Sequence, residues 1–313
     1  MKIIRVGAMM MLAGILSAAG WAAQTSYDIG KVGGAELKIP LGARPIGMGE
    51  AFVGLADDVN AVSWNPAGLA QLGQHHLGFM HSFYLQDISL EYLAYGQSLF
   101  EGAGLGVNFM LLNFGKMDKV EDVGGLPSIT GEFTPLVFTG AAGYGQWVME
   151  NLAVGGALKV ISQTIDTESY SAFAVDVGAL LKPGLEGLQL GLAVQNLGTS
   201  LADASLPMNA KVGAAYALPV SLAEADAWHV LLDVNLPFGD TNYTSVNLGT
   251  EYAYGDIAAV RVGYKIKNTG DLDGITGLTA GAGVQLGMLA LDYALATFGD
   301  LGMTHQIMAA VSF

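Results

Sequence analysis

Trp228-His229-Val230-Leu231-Leu232-Asp233-Val234-Asn235-Leu236 decides how the chain is to be read. Taken two residues at a time, Trp228, Val230, Leu232, Val234 and Leu236 face one way, while His229, Leu231, Asp233 and Asn235 face the other. A β-strand places successive side chains on opposite faces, so this period means one apolar face and one mixed face. Downstream, Val260, Val262, Tyr264 and Ile266 oppose Arg261, Gly263 and Lys265. At the end of the chain Ile307, Ala309, Val311 and Phe313 oppose Gln306, Met308, Ala310 and Ser312.

A soluble sandwich alternates as well, and two features separate the cases. The second face is small and lightly charged, as in Gln189, Gly191, Ala193 and Gln195 or Thr279, Gly281, Gly283 and Gln285. A water-exposed sheet would carry more Lys and Glu there. The segments also run to about nine to twelve residues, the length that crosses a bilayer at a strong tilt, whereas globular strands are nearer five or six. Composition agrees: 52% of residues are hydrophobic and 13% charged, with 44 glycines. No stretch beyond the N-terminus holds the roughly 20 consecutive apolar residues of a membrane helix.

Fourteen such segments can be placed, an even number as single-chain bacterial barrels require. They cover 75–84, 88–98, 103–114, 134–146, 151–164, 169–181, 188–197, 207–218, 227–236, 244–254, 257–266, 276–286, 288–298 and 305–313, and the fourth alternates poorly. The expected fold is an all-β, transmembrane antiparallel barrel over residues 75–313. Barrels of this kind have short periplasmic turns and longer outer loops. With the first strand running outward, most of the longer connections fall on the outer side; 219–226 is an exception. The longest loop, 115–133, with Asp118, Glu121, Asp122 and Glu132, is placed outside the cell.

Before the barrel, Lys2 and Arg5 precede an apolar stretch over 6–19 and then Gly20-Trp21-Ala22, the pattern of a secretory signal occupying residues 1–22. Residues 23–74 lack sustained alternation and are rich in Gly, Ala and Pro, which predicts an irregular segment with short helical pieces. There is no Cys, so disulfides, thiolate chemistry and a lipidated N-terminal cysteine are excluded. The net charge of −15 argues against nucleic acid. His75, His76, His81, His229 and His305 form no recognisable catalytic arrangement, and no calcium-loop spacing is present. No enzyme activity, metal or cofactor is expected.

Gly42-Ala43-Arg44-Pro45-Ile46-Gly47-Met48-Gly49-Glu50-Ala51-Phe52, then Asp57-Asp58 and Trp64-Asn65-Pro66-Ala67-Gly68-Leu69, resembles the N-terminus of the FadL and PorV superfamily, PorV/PorQ-like members included. Val194-Gln195-Asn196-Leu197-Gly198 is similar to that group too. The resemblance implies a fourteen-stranded outer-membrane barrel whose N-terminal region forms a hatch plugging the lumen, here with Arg44, Pro45, Gly47, Gly49, Trp64, Asn65 and Pro66. It implies two functions. FadL-like members carry long-chain fatty acids and other hydrophobic small molecules; PorV-like members partner a type IX secretion system. Expected partners are therefore outer-membrane lipids, a hydrophobic ligand, the barrel-assembly machinery and, in the second case, secretion components.

Lys159, Asp176, Lys211, Asp233, Glu251, Arg261, Lys265 and Asp292 fall on inward positions, where they serve either to bind the hatch and one another or as a polar track for solute. A mid-membrane Lys or Arg facing lipid would cost about 2 to 4 kcal/mol. Arg44 is expected to tie the hatch to Asp233 or Glu251. Gly102, Gly104 and Gly106 either permit a lateral opening or make room for packing inside. Tyr92, Trp147, Trp228, Tyr252 and Tyr264 are expected at the membrane interface or facing lipid. Phe313 resembles the terminal aromatic read by the barrel-assembly machinery.

Overall fold

The computed structural model describes residues 32–220, 222, 225–238, 244–267 and 274–313. The expected signal sequence lies outside the described residues. Among the described residues there are sixteen strands: β1 His76–Phe83, β2 Ser89–Phe100, β3 Ala103–Asn113, β4 Met117–Val123, β5 Leu126–Phe133, β6 Leu136–Met149, β7 Leu152–Ile165, β8 Glu168–Leu181, β9 Leu188–Gly198, β10 Asn209–Ala217, β11 Ala227–Pro237, β12 Ser245–Tyr254, β13 Ala258–Lys267, β14 Thr276–Leu286, β15 Leu289–Phe298 and β16 Met303–Ser312. Fourteen of them, all but β4 and β5, form one closed antiparallel barrel. The seam joins β1 to β16 over His76↔Ser312 to Phe83↔His305 and is extended by paired backbone bonds of 3.0 Å between His75 and Phe313. Closure leaves no unpaired edge, which a lipid environment would penalise.

The fourteen alternating segments thus correspond one to one with the barrel strands. The apolar face points out: Phe79, Phe109, Phe138, Phe173, Leu158, Val262 and Ile307 are among its exposed side chains. Among the described residues no helix is long and apolar enough to cross a membrane; the strands do so. Strand β6 shows why its segment alternates poorly. Its inward residues, Val137, Thr139, Ala141, Gly143 and Gly145, are small, and its outward ones include Phe138 and Tyr144. The alternation there is in size rather than polarity.

Two expectations are corrected. Residues 115–133 are not an irregular loop: β4 and β5 form a separate hairpin, turned by Gly124 and Gly125 at φ of 69° and 87°. Positive φ at both central residues is the geometry that matches the strand twist. Tyr92 does not face lipid; it points inward, is fully buried, and its hydroxyl lies 3.3 Å from Ser63 Oγ. Gly104 and Gly106 are paired with both β2 and β6, and the β2–β3 ladder shifts register beside Gly104, between Ser98 and Phe100.

Residues 32–72 enter the barrel from the end opposite His75 and Phe313. Val32 bridges to Ser205 in the β9–β10 connection, and the turn Ala35–Lys38 packs near Leu201 and Leu206. This strap leads into a one-turn helix, Ala43–Gly47, then a second, Ala61–Trp64, and a 3-10 turn, Pro66–Gln71. The last turn lies against β3, β6, β7 and β8 near the end from which β1 starts.

Candidate functional site

An irregular segment inside a barrel has backbone N–H and C=O groups with no ladder to join, and each must find a partner. The wall supplies them. Asp233 Oδ2 accepts the N–H groups of Phe52 and Val53, both at 2.8 Å. Thr279 Oγ1 accepts from Gly49 N at 2.9 Å and donates to Gly47 O at 3.1 Å. Gln195 Nε2 donates to Ser63 O at 2.7 Å, and Asn247 Nδ2 to Glu50 O at 3.2 Å. From within the segment, Asn65 Nδ2 reaches Val53 O and Ala179 O, while its Oδ1 accepts from Ala67 N at the start of the Pro66 turn. Trp64 Nε1 donates to Leu41 O at 2.8 Å, tying the second helix to the strap.

Gln195, Thr279 and Asn247 carry as much of this contact as the charged residues, and sequence reasoning did not single them out as contacts. Their signal is an amide or hydroxyl recurring among glycines on the inward face. Gln195 and Asn196 are consecutive yet both buried, because the β8–β9 ladder shifts register between Val175 and Val177 and Asn196 adopts φ of 61°. A bulge of this kind turns two neighbours inward. It gives Val194-Gln195-Asn196-Leu197-Gly198 a physical basis.

Where backbone meets backbone, the wall is glycine. A Cβ on Gly263 would lie 2.0 Å from Gly49 N, one on Gly155 2.4 Å from Ala67 N, and one on Gly104 2.1 Å from Leu69 O. Gly106 faces the Leu69 side chain and Gly47 lies against Gly281. Gly102 sits in the β2–β3 turn at φ of 79°, beside Trp147.

The strongest polar link is Arg44. Its Nε and Nη2 each donate to one oxygen of Glu251 at 2.8 Å, and its Nη1 reaches Asp57 at 2.6 Å and Asp58 at 3.0 Å. Pro45 follows it in the same one-turn helix. Glu251 also accepts from Arg261 Nε at 2.6 Å, and Arg261 Nη1 continues to Asp292 at 2.6 Å. Of the two acidic residues weighed for Arg44, the structure selects Glu251; Asp233 is occupied by backbone.

Lys159, Lys211 and Lys265 face a chamber of about 310 Å³ between the strap and the inner segment. Lys159 pairs with the fully buried Asp176 at 2.6 Å and donates to Asn196 at 2.9 Å. Lys265 pairs with Glu50 at 2.5 Å. Lys211 Nζ lies 4.5 Å over the Trp64 ring. All eight charged residues assigned to inward positions lie inside the barrel: Glu251, Arg261 and Asp292 in the Arg44 network, Lys159, Asp176, Lys211 and Lys265 about the chamber, and Asp233 against the Phe52 and Val53 backbone. A second cavity, of about 430 Å³, opens on the other side of the strap and is lined mainly by apolar groups, including Ile39, Tyr84, Ile88, Leu112, Phe114 and Leu201. Phe313 is half exposed beyond the end of β16, its ring stacked on His75 at 5.2 Å.

The barrel is similar to solved outer-membrane channels at low sequence identity. The CymD monoaromatic hydrocarbon channel aligns with a TM-score of 0.60 and 15% identity, over 87% of this chain and 96% of that one. The Ralstonia pickettii toluene transporter TbuX aligns at 0.57 and 12%, over 87% and 97%. A Pseudomonas aeruginosa FadL homologue aligns at 0.57 and 11%, over 88% and 99%. The shared fold is the FadL-type outer-membrane barrel. No curated protein matches the sequence. A family model matches residues 9–178, more than half of the chain, and the protein belongs to that family, the uncharacterised protein family UPF0164.

Proposed function

We propose that the protein is a passive outer-membrane channel for hydrophobic small molecules such as long-chain fatty acids or aromatic hydrocarbons, and that it does no chemistry on its solute. The observation that carries this is the apolar cavity at the mouth, between Ile39 of the strap and Tyr84, Ile88, Leu112, Phe114 and Leu201. A pocket of that kind desolvates an apolar solute before it meets the barrel interior, worth about 25 cal/mol per Å² of apolar surface removed from water. Below it the lumen is filled by residues 42–72, so passage requires that segment to yield. Its contacts suit a moving part: polar groups of the wall hold it through reversible hydrogen bonds and two ionic links, Arg44–Glu251 and Glu50–Lys265. The names of the structural neighbours, a monoaromatic hydrocarbon channel and a toluene transporter, support the same solute class.

The test is uptake of labelled toluene and oleate into liposomes containing the purified protein. Uptake above protein-free liposomes, altered when residues 42–69 are deleted and the remaining barrel still shows heat-modifiable gel migration, is the expected result. No uptake of either solute ends this reading.

A further inference from the structure

We propose that the inner chamber is a binding site for a small monocarboxylate with a compact apolar body, its carboxylate held by Lys211; this rests on the conduit reading for its place on a solute path, but the site itself stands on the chamber's own residues. The chain carries a net charge of −15, and this chamber is lined by two acids, Glu36 and Glu50, against four lysines, Lys38, Lys159, Lys211 and Lys265. Two of its lysines are neutralised, Lys159 by Asp176 and Lys265 by Glu50. Among the described residues Lys211 has no carboxylate within 4.0 Å; of the acids that act on it from further away, Glu50 is paired with Lys265, and Asp233 accepts the Phe52 and Val53 N–H groups on Oδ2 while its Oδ1 has no hydrogen-bond partner. The Trp64 face satisfies one side of the ammonium, which has three N–H donors to place. A charge removed from water is costly unless paired, so the chamber gains most from an anion.

A second observation points the same way. Thr139 is 6% exposed, lines the chamber, and its Oγ1, which can donate to a carboxylate, has no hydrogen-bond partner. The same lining includes the apolar side chains of Leu37, Ile39, Leu41, Met110 and Met208. An inorganic anion would leave that apolar wall unused. A neutral hydrocarbon would leave Lys211 and Thr139 unsatisfied. At roughly 30 Å³ per non-hydrogen atom, as for liquid water, the chamber holds about ten such atoms, the size of a single-ring acid rather than a long acyl chain.

Benzoate is the probe, with benzamide as its neutral isostere, titrated calorimetrically into the full-length protein in detergent. Wild type is expected to bind benzoate saturably and benzamide at least tenfold more weakly. Lys211→Met is expected to weaken benzoate binding at least tenfold, and Lys211→Arg to retain it within a few fold, each variant being checked for heat-modifiable migration. Absence of benzoate binding by wild type, equal binding of benzamide, or unchanged binding by a folded Lys211→Met barrel overturns the proposal. Toluene flux into liposomes, measured in parallel, separates it from the channel reading: flux without benzoate binding rejects the carboxylate site alone, and binding without flux keeps the site and rejects the conduit.

Discussion

Arg44 and Glu251, 207 positions apart, meet in a two-pronged contact with both bonds at 2.8 Å, and this contact couples the inner segment to the barrel wall. The planar guanidinium matches the carboxylate, a geometry that Lys cannot reproduce. Glu251 is 3% exposed, so removing its partner leaves a buried charge met by Arg261 Nε at 2.6 Å and, at 3.9 Å, by His229 Nδ1. Breaking a buried pair costs about 3 to 5 kcal/mol, and the remaining Arg261 contact places the expected loss near the low end. Arg44→Ala should lower the urea midpoint of the detergent-solubilised barrel accordingly and raise single-channel conductance. Arg44→Met/Glu251→Met should cost less than the two single changes summed, as contacting residues do. Unchanged conductance in Arg44→Ala would mean the clamp does not restrain the segment.

Asp58 shares Arg44 with Asp57 and Glu251, three carboxylates around one guanidinium. Burial pushes its carboxyl above the ordinary range, against the pull of Arg44 and with a further push from Asp57. The native state therefore holds this proton more readily than the unfolded chain. The contribution of Asp58 to stability is greatest at low pH and declines as pH rises through its raised native-state value. Asp58→Asn should remove that decline and leave the native barrel more stable at neutral pH, read as urea midpoints at a series of pH values. Parallel curves for wild type and variant would contradict it.

What was legible in the sequence follows from which environments impose a pattern. Lipid demands an apolar residue at every second position, so Val260, Val262, Tyr264 and Ile266 announced their strand and its sidedness. The hairpin β4–β5 has solvent on both faces, with Val120, Val123, Leu126 and Ile129 all exposed, so no face was selected and no alternation formed. Its one local signal was Gly124-Gly125 between apolar pairs. Tyr92 misled because an amphipathic ring suits a membrane interface and a polar lumen equally well; only its register beside Leu90 and Ala94 turns it inward. The Arg44 partner was narrowed to two acids by charge and facing. Choosing between them required the depth at which the helix Ala43–Gly47 docks, and no local pattern encodes that.

The hairpin should be dispensable for the barrel. Phe114 N already donates to Pro135 O at 3.2 Å across its base, so the ends of β3 and β6 meet without it. It is tied to the neighbouring connection by Lys119–Asp166 at 2.6 Å, with both side chains about a third exposed. Exposed pairs of this kind contribute little to stability. Replacing residues 116–134 with a short glycine turn should leave heat-modifiable migration intact and shift the urea midpoint by no more than that pair accounts for. Loss of the folded band would show that the hairpin supports the wall.

Gly155 and Gly156 are neighbours on β7 with opposite duties, and one methyl group at each distinguishes a plugged barrel from an empty one. Gly155 faces inward, where a Cβ would fall 2.4 Å from both Ala67 N and Pro66 C. Those are backbone atoms of a turn held by Asn65, which cannot step aside as a flexible side chain would. Gly156 faces outward, and the nearest atom to its Cβ would be Asp176 O at 3.6 Å, an ordinary contact. Since glycine costs about 0.5 to 1 kcal/mol relative to Ala inside a regular element, Gly156→Ala should be neutral or slightly stabilising. Gly155→Ala should destabilise by the 1 to 3 kcal/mol typical of overpacking, or expel the 66–71 turn, giving new protease cleavage near it and a larger conductance. Deleting residues 42–72 in the same background should abolish the penalty, because the clash partner is then gone. Equal urea midpoints for the two single variants would mean that residues 66–71 do not occupy the barrel interior in the folded protein.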